Sequence, residues 1–262
     1  MSQRLGLLFS ALLTVSLLSG CASVMPEEKP ILLDITFAEL EKNINKALDP
    51  GGVKAEQRSY RQRMIVSRDQ VLDDPTEELV EVTYSYPDDL RMASFDDSDS
   101  ASTPSLVWII RKNAGWLVDY KRKSVKQLSP EQLRLMRRTF TLDSPARDLS
   151  GTYSKIELTA CEMDGRPYYK MECTPKAAGR APVYIYVGKH DFLIRWVRTE
   201  FEIGGSEIDY VSNIRLYKLY DGVMIPSETV SVMNGDRSVS RVESYEELKS
   251  VDPAEFMPPV FK

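Results

Sequence analysis

Histidine and cysteine are nearly missing from this chain: its 262 residues hold one histidine, His190, and three cysteines, Cys21, Cys161 and Cys173. That leaves too few imidazole and thiolate ligands for a zinc site built from them. Any histidine-dependent reaction would have to run through His190 alone. The sequence also lacks G-x-S-x-G, a Walker loop, a dinucleotide fingerprint and H-E-x-x-H, so the compact catalytic signatures are missing. No enzymatic activity, metal or cofactor is expected. A basic excess is missing too: 34 Lys and Arg stand against 39 Asp and Glu, a formal charge of -5, unlike the strongly basic footprint of a nucleic-acid binder. Long apolar runs are absent beyond the first twenty residues, which argues against a polytopic membrane protein. What is left, 42% apolar and 28% charged, is ordinary globular composition.

The first residues are a targeting segment. Arg4 precedes a run from Leu5 to Leu18 that is apolar apart from Ser and Thr, too short to span a bilayer comfortably as a mature helix. The run ends in Leu18-Ser19-Gly20-Cys21, which resembles the bacterial lipobox. The resemblance implies that residues 1–20 are a signal peptide and that Cys21 is lipidated as the mature N-terminus. Ala22 and Ser23 follow, with no Asp to retain the protein in an inner membrane, so the resemblance implies an outer-membrane anchor with the chain on the periplasmic face. In a Gram-positive cell the chain would face outward. Residues 21–33 then form the lipidated N-terminus and a polar, Pro-containing tether, and 34–262 form one domain.

Two helices and about ten strands are expected. Thr36 with Glu39 makes a capping box, and Phe37, Leu40, Ile44 and Leu48 share a face, so a helix spans about 36–48 until Asp49-Pro50-Gly51-Gly52 stops it. A second helix begins where Ser129 caps and Pro130 fits the first turn, with Leu128 stapled onto Leu133 and a stripe of Leu133, Met136 and Phe140. Elsewhere the apolar period is two, most clearly at Val80, Val82, Tyr84 and Tyr86. Similar stretches lie at 54–66, 106–111, 115–120, 153–160, 167–173, 183–187, 192–201, 207–220, 223–232 and 237–245. Turns are marked by Asn113-Ala114-Gly115, Asp164-Gly165, Gly204-Gly205, Asp221-Gly222 and Asn234-Gly235-Asp236. The fold class is therefore α+β, a large antiparallel sheet curled around a few helices. Ser94 to Pro104, with Asp96, Asp97 and Asp99, lacks the glycine and terminal glutamate of an EF-hand and reads as a hairpin loop.

Export puts Cys161 and Cys173 in an oxidising compartment, where a disulfide is the default. A two-residue turn at Asp164-Gly165 argues the other way, since it sets Cys161 opposite Tyr168 and Cys173 opposite Ile156, beyond bonding reach. Both outcomes stay open from sequence. His190, in Gly188-Lys189-His190-Asp191, reads as an exposed turn residue. Basic residues gather at Arg58, Arg61, Arg63 and Arg68, and again at Lys121, Arg122, Lys123 and Lys126. They suit either anionic head groups or ordinary solvated strand faces.

Four segments, in order, carry a family resemblance. A strand ends in Pro87-Asp88-Asp89-Leu90-Arg91, a hairpin follows at Asn113-Ala114-Gly115-Trp116-Leu117-Val118-Asp119-Tyr120, and a later strand reads Gly165-Arg166-Pro167-Tyr168-Tyr169-Lys170-Met171-Glu172-Cys173-Thr174-Pro175-Lys176. The tail is Asp252-Pro253-Ala254-Glu255-Phe256-Met257-Pro258-Pro259. Together with the N-terminal amphipathic helix, this arrangement resembles the LolA-like, outer-membrane lipoprotein-sorting family. The resemblance implies an incomplete antiparallel β-barrel closed by helices, with an apolar inner side that holds the acyl chains of lipoproteins or lipids.

Under that resemblance Val80, Val82, Tyr84, Trp108, Trp116, Val118, Ile185 and Trp196 line the sheet, and Leu133, Met136 and Phe140 form a lid. The same stripes would arise if the helices simply filled the sheet to make a solid core. One departure stands out: carriers in the family often place an Arg just before the Pro that ends the early strand, where this chain has Tyr86, and only Arg91 matches a later basic position. The lipid anchor points instead to an outer-membrane acceptor of lipoproteins or a lipoprotein relative. Three uses stay open: an anchored acyl-binding module, a sensory or regulatory protein of the RseB type, and a structural lipoprotein docked on an envelope partner.

Overall fold

The computed structural model describes residues 25–52, 58–69, 76–96, 103–143, 149–176, 180–203 and 206–261. Cys21, the turn at Gly204-Gly205, and Asp97 and Asp99 lie outside these residues. So does the side chain of Phe140, although its backbone is described.

One sheet of fourteen strands organises the described residues. The strands are β1 (Lys29–Pro30), β2 (Ser59–Asp69), β3 (Thr76–Ser85), β4 (Asp89–Phe95), β5 (Leu106–Arg111), β6 (Ala114–Asp119), β7 (Ser124–Gln127), β8 (Tyr153–Met163), β9 (Arg166–Pro175), β10 (Val183–Gly188), β11 (Ile194–Ile203), β12 (Ser206–Tyr220), β13 (Val223–Met233) and β14 (Asp236–Leu248). Their order across the sheet is β1-β8-β9-β10-β11-β12-β13-β14-β2-β3-β4-β5-β6-β7, and neighbouring strands pair antiparallel throughout the described residues. The sheet is open: β1 and β7 are its edges. Two neighbour pairs are distant in sequence, β1 with β8 and β14 with β2, and the second joins the two halves of the chain into one surface.

The count exceeds the ten or so expected, and the three strands that fall outside the stretches named from sequence each have a reason. β7 is wholly exposed and reads SVKQ, so it has no apolar alternation to detect. β1 is two residues held only by pairing, Lys29 to Glu162 and Pro30 to Cys161. β4 was hidden in the stretch after Pro87, where Leu90 and Met92 alternate with Arg91 and Ala93.

The local chemistry that sets the register is plain. Asp164-Gly165, Asp221-Gly222 and Asn234-Gly235 each have positive φ at both positions, 49° and 71°, 45° and 84°, and 51° and 90°. That is the geometry of the two-residue hairpin turn that follows strand twist, and Asx-Gly adopts it at least cost. The first of these turns places Cys161 opposite Tyr168 and Cys173 opposite Ile156. Both cysteines are free and buried, so the disulfide alternative is corrected: the hairpin fixes the two thiols at different levels of the ladder. Burial lifts the Cys161 thiol to about 11, with Glu28 adding to it, and the Cys173 thiol to about 12.

Helix α1 (Phe37–Leu48) starts in the capping box: Thr36 Oγ1 accepts from the Glu39 backbone, and Glu39 accepts from the Thr36 backbone at 3.0 Å. Its Leu40 and Ile44 are fully buried on the face of the sheet that presents Tyr169, Met171, Ile185, Val197 and Ile208. Helix α2 (Pro130–Asp143) lies on the same face, over the other half of the sheet. This side of the sheet is its helix face. α3 (Leu149–Thr152) leads into β8.

On the opposite face, the first and last described segments each cover a patch of the sheet. Met25 packs with Cys161, Met163, Tyr168 and Tyr186. At the other end a short 3-10 helix (Pro253–Phe256), capped by Asp252 on the Ala254 backbone, buries Phe256 against Leu79, Phe95, Val107 and Ile109.

Candidate functional site

The second half of the helix face begins with another reciprocal cap. Gln132 N donates to Ser129 Oγ at 3.2 Å and Ser129 N to Gln132 Oε1 at 2.9 Å, which fixes where α2 starts. Gly115 lets that first turn lie flat on the sheet. A Cβ there would stand 2.8 Å from Leu128 Cδ1 and 3.0 Å from Leu133 Cδ1, so both leucine side chains lie over Gly115.

Beneath α2, Leu133 and Met136 meet Val80, Val82, Leu90 and Ile110, which are buried, and Tyr60, Met64, Val66, Tyr84 and Met92, which are half-buried. Trp108 is paired with Met92 and so shares this face, with 3% of its surface exposed. From this cluster a row of tyrosines crosses the sheet. Tyr84 lies 5.4 Å from Tyr60, Tyr60 stacks on Tyr245 at 5.1 Å, and Tyr245 lies 5.9 Å from Tyr220. The row ends at buried Val223 and Ile225. Tyr84 donates its hydroxyl to the Pro87 carbonyl at 2.5 Å, and burial, with the nearby Asp88 charge, raises its pKa.

Between the α1 and α2 clusters the helix face turns polar. Ser212, Ser231 and Ser238 are successive partners across β12, β13 and β14, and Thr229 and Ser240 stand beside them. Ser231 Oγ is 3.4 Å from both Ser212 Oγ and Tyr210 Oη. The helix face is thus two apolar areas separated by a hydroxyl seam.

Against the eleven lining positions named from sequence, the structure gathers five directly under or on α2: Val80, Val82, Tyr84, Leu133 and Met136. Trp108 joins them by register. Ile185 lies on the helix face but in the α1 core. Three lie on the wrong side for a common lining. Trp116 and Val118 face the C-terminal Phe256, and Trp196 packs near Met25 on the opposite face.

The reason for Trp116 and Val118 is a one-residue difference in a turn. The β5–β6 hairpin turns at Lys112 and Asn113, with Arg111 opposite Ala114, so Trp116 pairs with Ile109 and Leu117 with Trp108. A shift by one residue exchanges the faces of a strand. Tyr60, Met64, Val66, Leu90, Met92 and Ile110 were missed. The signal existed in β2, where Tyr60, Met64 and Val66 recur at even positions, but polar Gln62 and apolar Ile65 interrupt the alternation.

Those arginines are paired. Arg61 reaches Glu255 at 3.0 Å, Arg68 reaches Glu78 at 3.0 Å, Arg63 lies 3.9 Å from Glu81, and Arg58 pairs with Glu247. Arg91 approaches Glu81 at 3.6 Å on the face away from α2, so it cannot hold that helix down. Tyr86 is half exposed. In the second basic group, Lys121 pairs with Asp96 and Arg122 lies 3.6 Å from Asp119. His190 is an exposed turn residue between β10 and β11, as expected. No helix among the described residues is long and apolar enough to cross a membrane.

No family model and no curated protein matches the sequence. Solved structures do match. A LolA superfamily protein from Nitrosomonas europaea superposes with a TM-score of 0.59 at 13% identity, over 86% of this chain and 98% of that one. The fold is LolA-like. A DUF1329 family protein from Desulfovibrio piger gives a TM-score of 0.59 at 11% identity, covering 84% of this chain and 95% of its own. A putative outer membrane lipoprotein-sorting protein domain from Vibrio parahaemolyticus gives 0.52 at 11% identity, covering 83% and 94%. At these identities the LolA-like likeness is one of architecture.

Proposed function

We propose that this LolA-like chain is an outer-membrane lipoprotein, anchored through Cys21 on the periplasmic face, that binds acyl chains of lipoproteins or lipids beneath α2. One observation carries the reading: the apolar cluster under α2 is only half closed, with Tyr60, Met64, Val66, Tyr84, Met92, Leu133 and Met136 all partly exposed. An acyl chain lying there gains about 0.8 kcal/mol for each methylene removed from water. The flexible methionines Met64, Met92 and Met136 suit a chain of variable shape. Names of similar structures, lipoprotein sorting among them, agree with this use.

A second reading, a protein-binding envelope module without lipid cargo, is favoured by Leu216 and Leu219, which stand 54% and 60% exposed on β12. Native mass spectrometry with organic extraction, on protein purified without detergent, separates the two. Acyl cargo near one per chain, abolished by Met136→Glu in protein that stays folded, supports the acyl-binding reading. Protein that arrives empty and takes up no fluorescent fatty acid overturns it and favours the protein-binding one.

A further inference from the structure

Residues 25–33 were expected to belong to a tether, yet together with Asp34 they are built into the fold. Glu28 accepts from Lys170 Nζ and from the Tyr186 hydroxyl, each at 2.6 Å. Lys29 and Pro30 pair with β8, and Ile31 N donates to the Ala160 carbonyl at 3.1 Å. Asp34 then accepts from the Tyr169 hydroxyl at 3.1 Å and from Lys189 Nζ at 2.6 Å. Tyr186 and Tyr169 project from opposite faces, since Tyr186 pairs with Lys170, the neighbour of Tyr169. The segment is therefore a strap that passes around the β8 edge, from the outer face to the helix face.

Where it rounds that edge it exposes Leu32 by 84% and Leu33 by 39%. The adjoining outer positions of β8, Ser154, Lys155, Glu157 and Thr159, are exposed and polar. Four residue steps separate Met25 from Cys21, a reach of at most about 14 Å. A docked strap with so short a leader cannot let the domain swing far from whatever holds Cys21.

We propose that the strap seats the domain edge-on, β8 edge down, against the bilayer that carries the Cys21 lipid, with Leu32 and Leu33 entering its interfacial layer. The proposal rests on the reading of Cys21 as a lipid anchor. Leucine side chains leave water for that layer favourably, and the polar row of β8 matches the head-group depth, so insertion stops at the two leucines.

The test uses the full lipoprotein in phosphatidylethanolamine/phosphatidylglycerol vesicles containing lipids spin-labelled near the head group. An environment-sensitive fluorophore is placed at Leu32→Cys or, on the far sheet edge, at Ser124→Cys. Native Cys161 and Cys173 are buried, with raised pKa values, and resist labelling. Emission that shifts to the blue and is quenched at position 32, and does neither at position 124, supports the proposal. A flexible insert of about ten residues between Val24 and Met25 should then weaken the quenching. Quenching at neither site, equally at both, or at 124 alone, in protein whose mass shows the lipid on Cys21, overturns the orientation and leaves the anchor standing. An unlipidated Cys21 in the same mass measurement sinks the anchor reading itself.

Discussion

The two helices rest on the same face of one sheet, yet they close it differently. α1 drives Leu40 and Ile44 to zero exposure among the buried residues of β9 to β12. α2 covers a cluster in which only Val80, Val82, Leu90 and Ile110 are buried and the larger share stays partly exposed. Both helices have reciprocal N-caps, so the difference does not come from how they start. It comes from what each meets: under α1 the sheet offers a run of buried side chains such as Met171, Val183, Ile185, Val187, Ile194, Val197 and Ile208, whereas under α2 Tyr60, Met64, Tyr84 and Met92 stay partly exposed. Close packing under α1 makes structure, and loose packing under α2 leaves apolar surface for a ligand.

The largest effect should come from breaking the tight half. Ile44→Ala removes a fully buried side chain from a packed core and should cost about 2–5 kcal/mol, read as a lowered denaturation midpoint. If it costs no more than the matching truncation under α2, the contrast drawn between the halves is wrong.

Next comes the strap that closes the outer face of the α1 half. Burial opposes ionisation of Glu28, but hydrogen bonds from Lys170 and Tyr186 outweigh it and lower its pKa below the ordinary 4.5. Lys189 does the same for Asp34, below 3.8. Both carboxylates have depressed folded values, so their contribution is present above the ordinary values and fades as pH falls through the folded ones. Proteolytic nicking within 25–34 should therefore rise on acidification below about pH 4. Glu28→Ala should cost about 1–3 kcal/mol at neutral pH, because it strands a hydroxyl and an ammonium group. Unchanged nicking at low pH would mean the strap is held by Pro30 and Ile31 alone.

A smaller change sharpens the comparison from the α2 side. Gly115→Ala pushes a methyl against Leu128 and Leu133. Those are ends of flexible side chains, so the cost should be about 1 kcal/mol. Its value lies in lifting the first turn of α2, which should change fatty-acid uptake more than stability. An equal fall in both would assign Gly115 to the core.

Much of this architecture was legible in sequence wherever local chemistry decides. The caps at Thr36 and Ser129, the Asx-Gly turns and the register that sets Cys161 opposite Tyr168 all follow from a few adjacent residues, although bonding of the two cysteines stayed open. Face assignment was not legible to the same degree. Alternation in β6 groups Trp116 with Val118, but which side meets a helix depends on whether the hairpin loop holds two residues, Lys112-Asn113, or three. Trp196 and Ile185 alternate correctly along their own strands, and only the pairing of Tyr186 with Trp196 shows that they face opposite ways. The strap was illegible because its two strand residues gain their conformation from β8.

The smallest expected effect is the one that ties packing to function. Met136 is half-buried under α2, so truncation to Ala in the empty protein should cost about 1 kcal/mol, well below the fully buried case. With an acyl chain bound, Met136 would be covered on its open side, and the same truncation should cost more. Ligand binding at about a hundred times its dissociation constant stabilises by about 2.7 kcal/mol, so thermal denaturation with and without a saturating fatty acid has room to show the difference. For Ile44→Ala the ligand should add nothing to the cost, since α1 is sealed with or without it. A Met136→Ala cost that stays constant on adding fatty acid, while the wild type is stabilised, would move the ligand away from α2 and toward the tyrosine row.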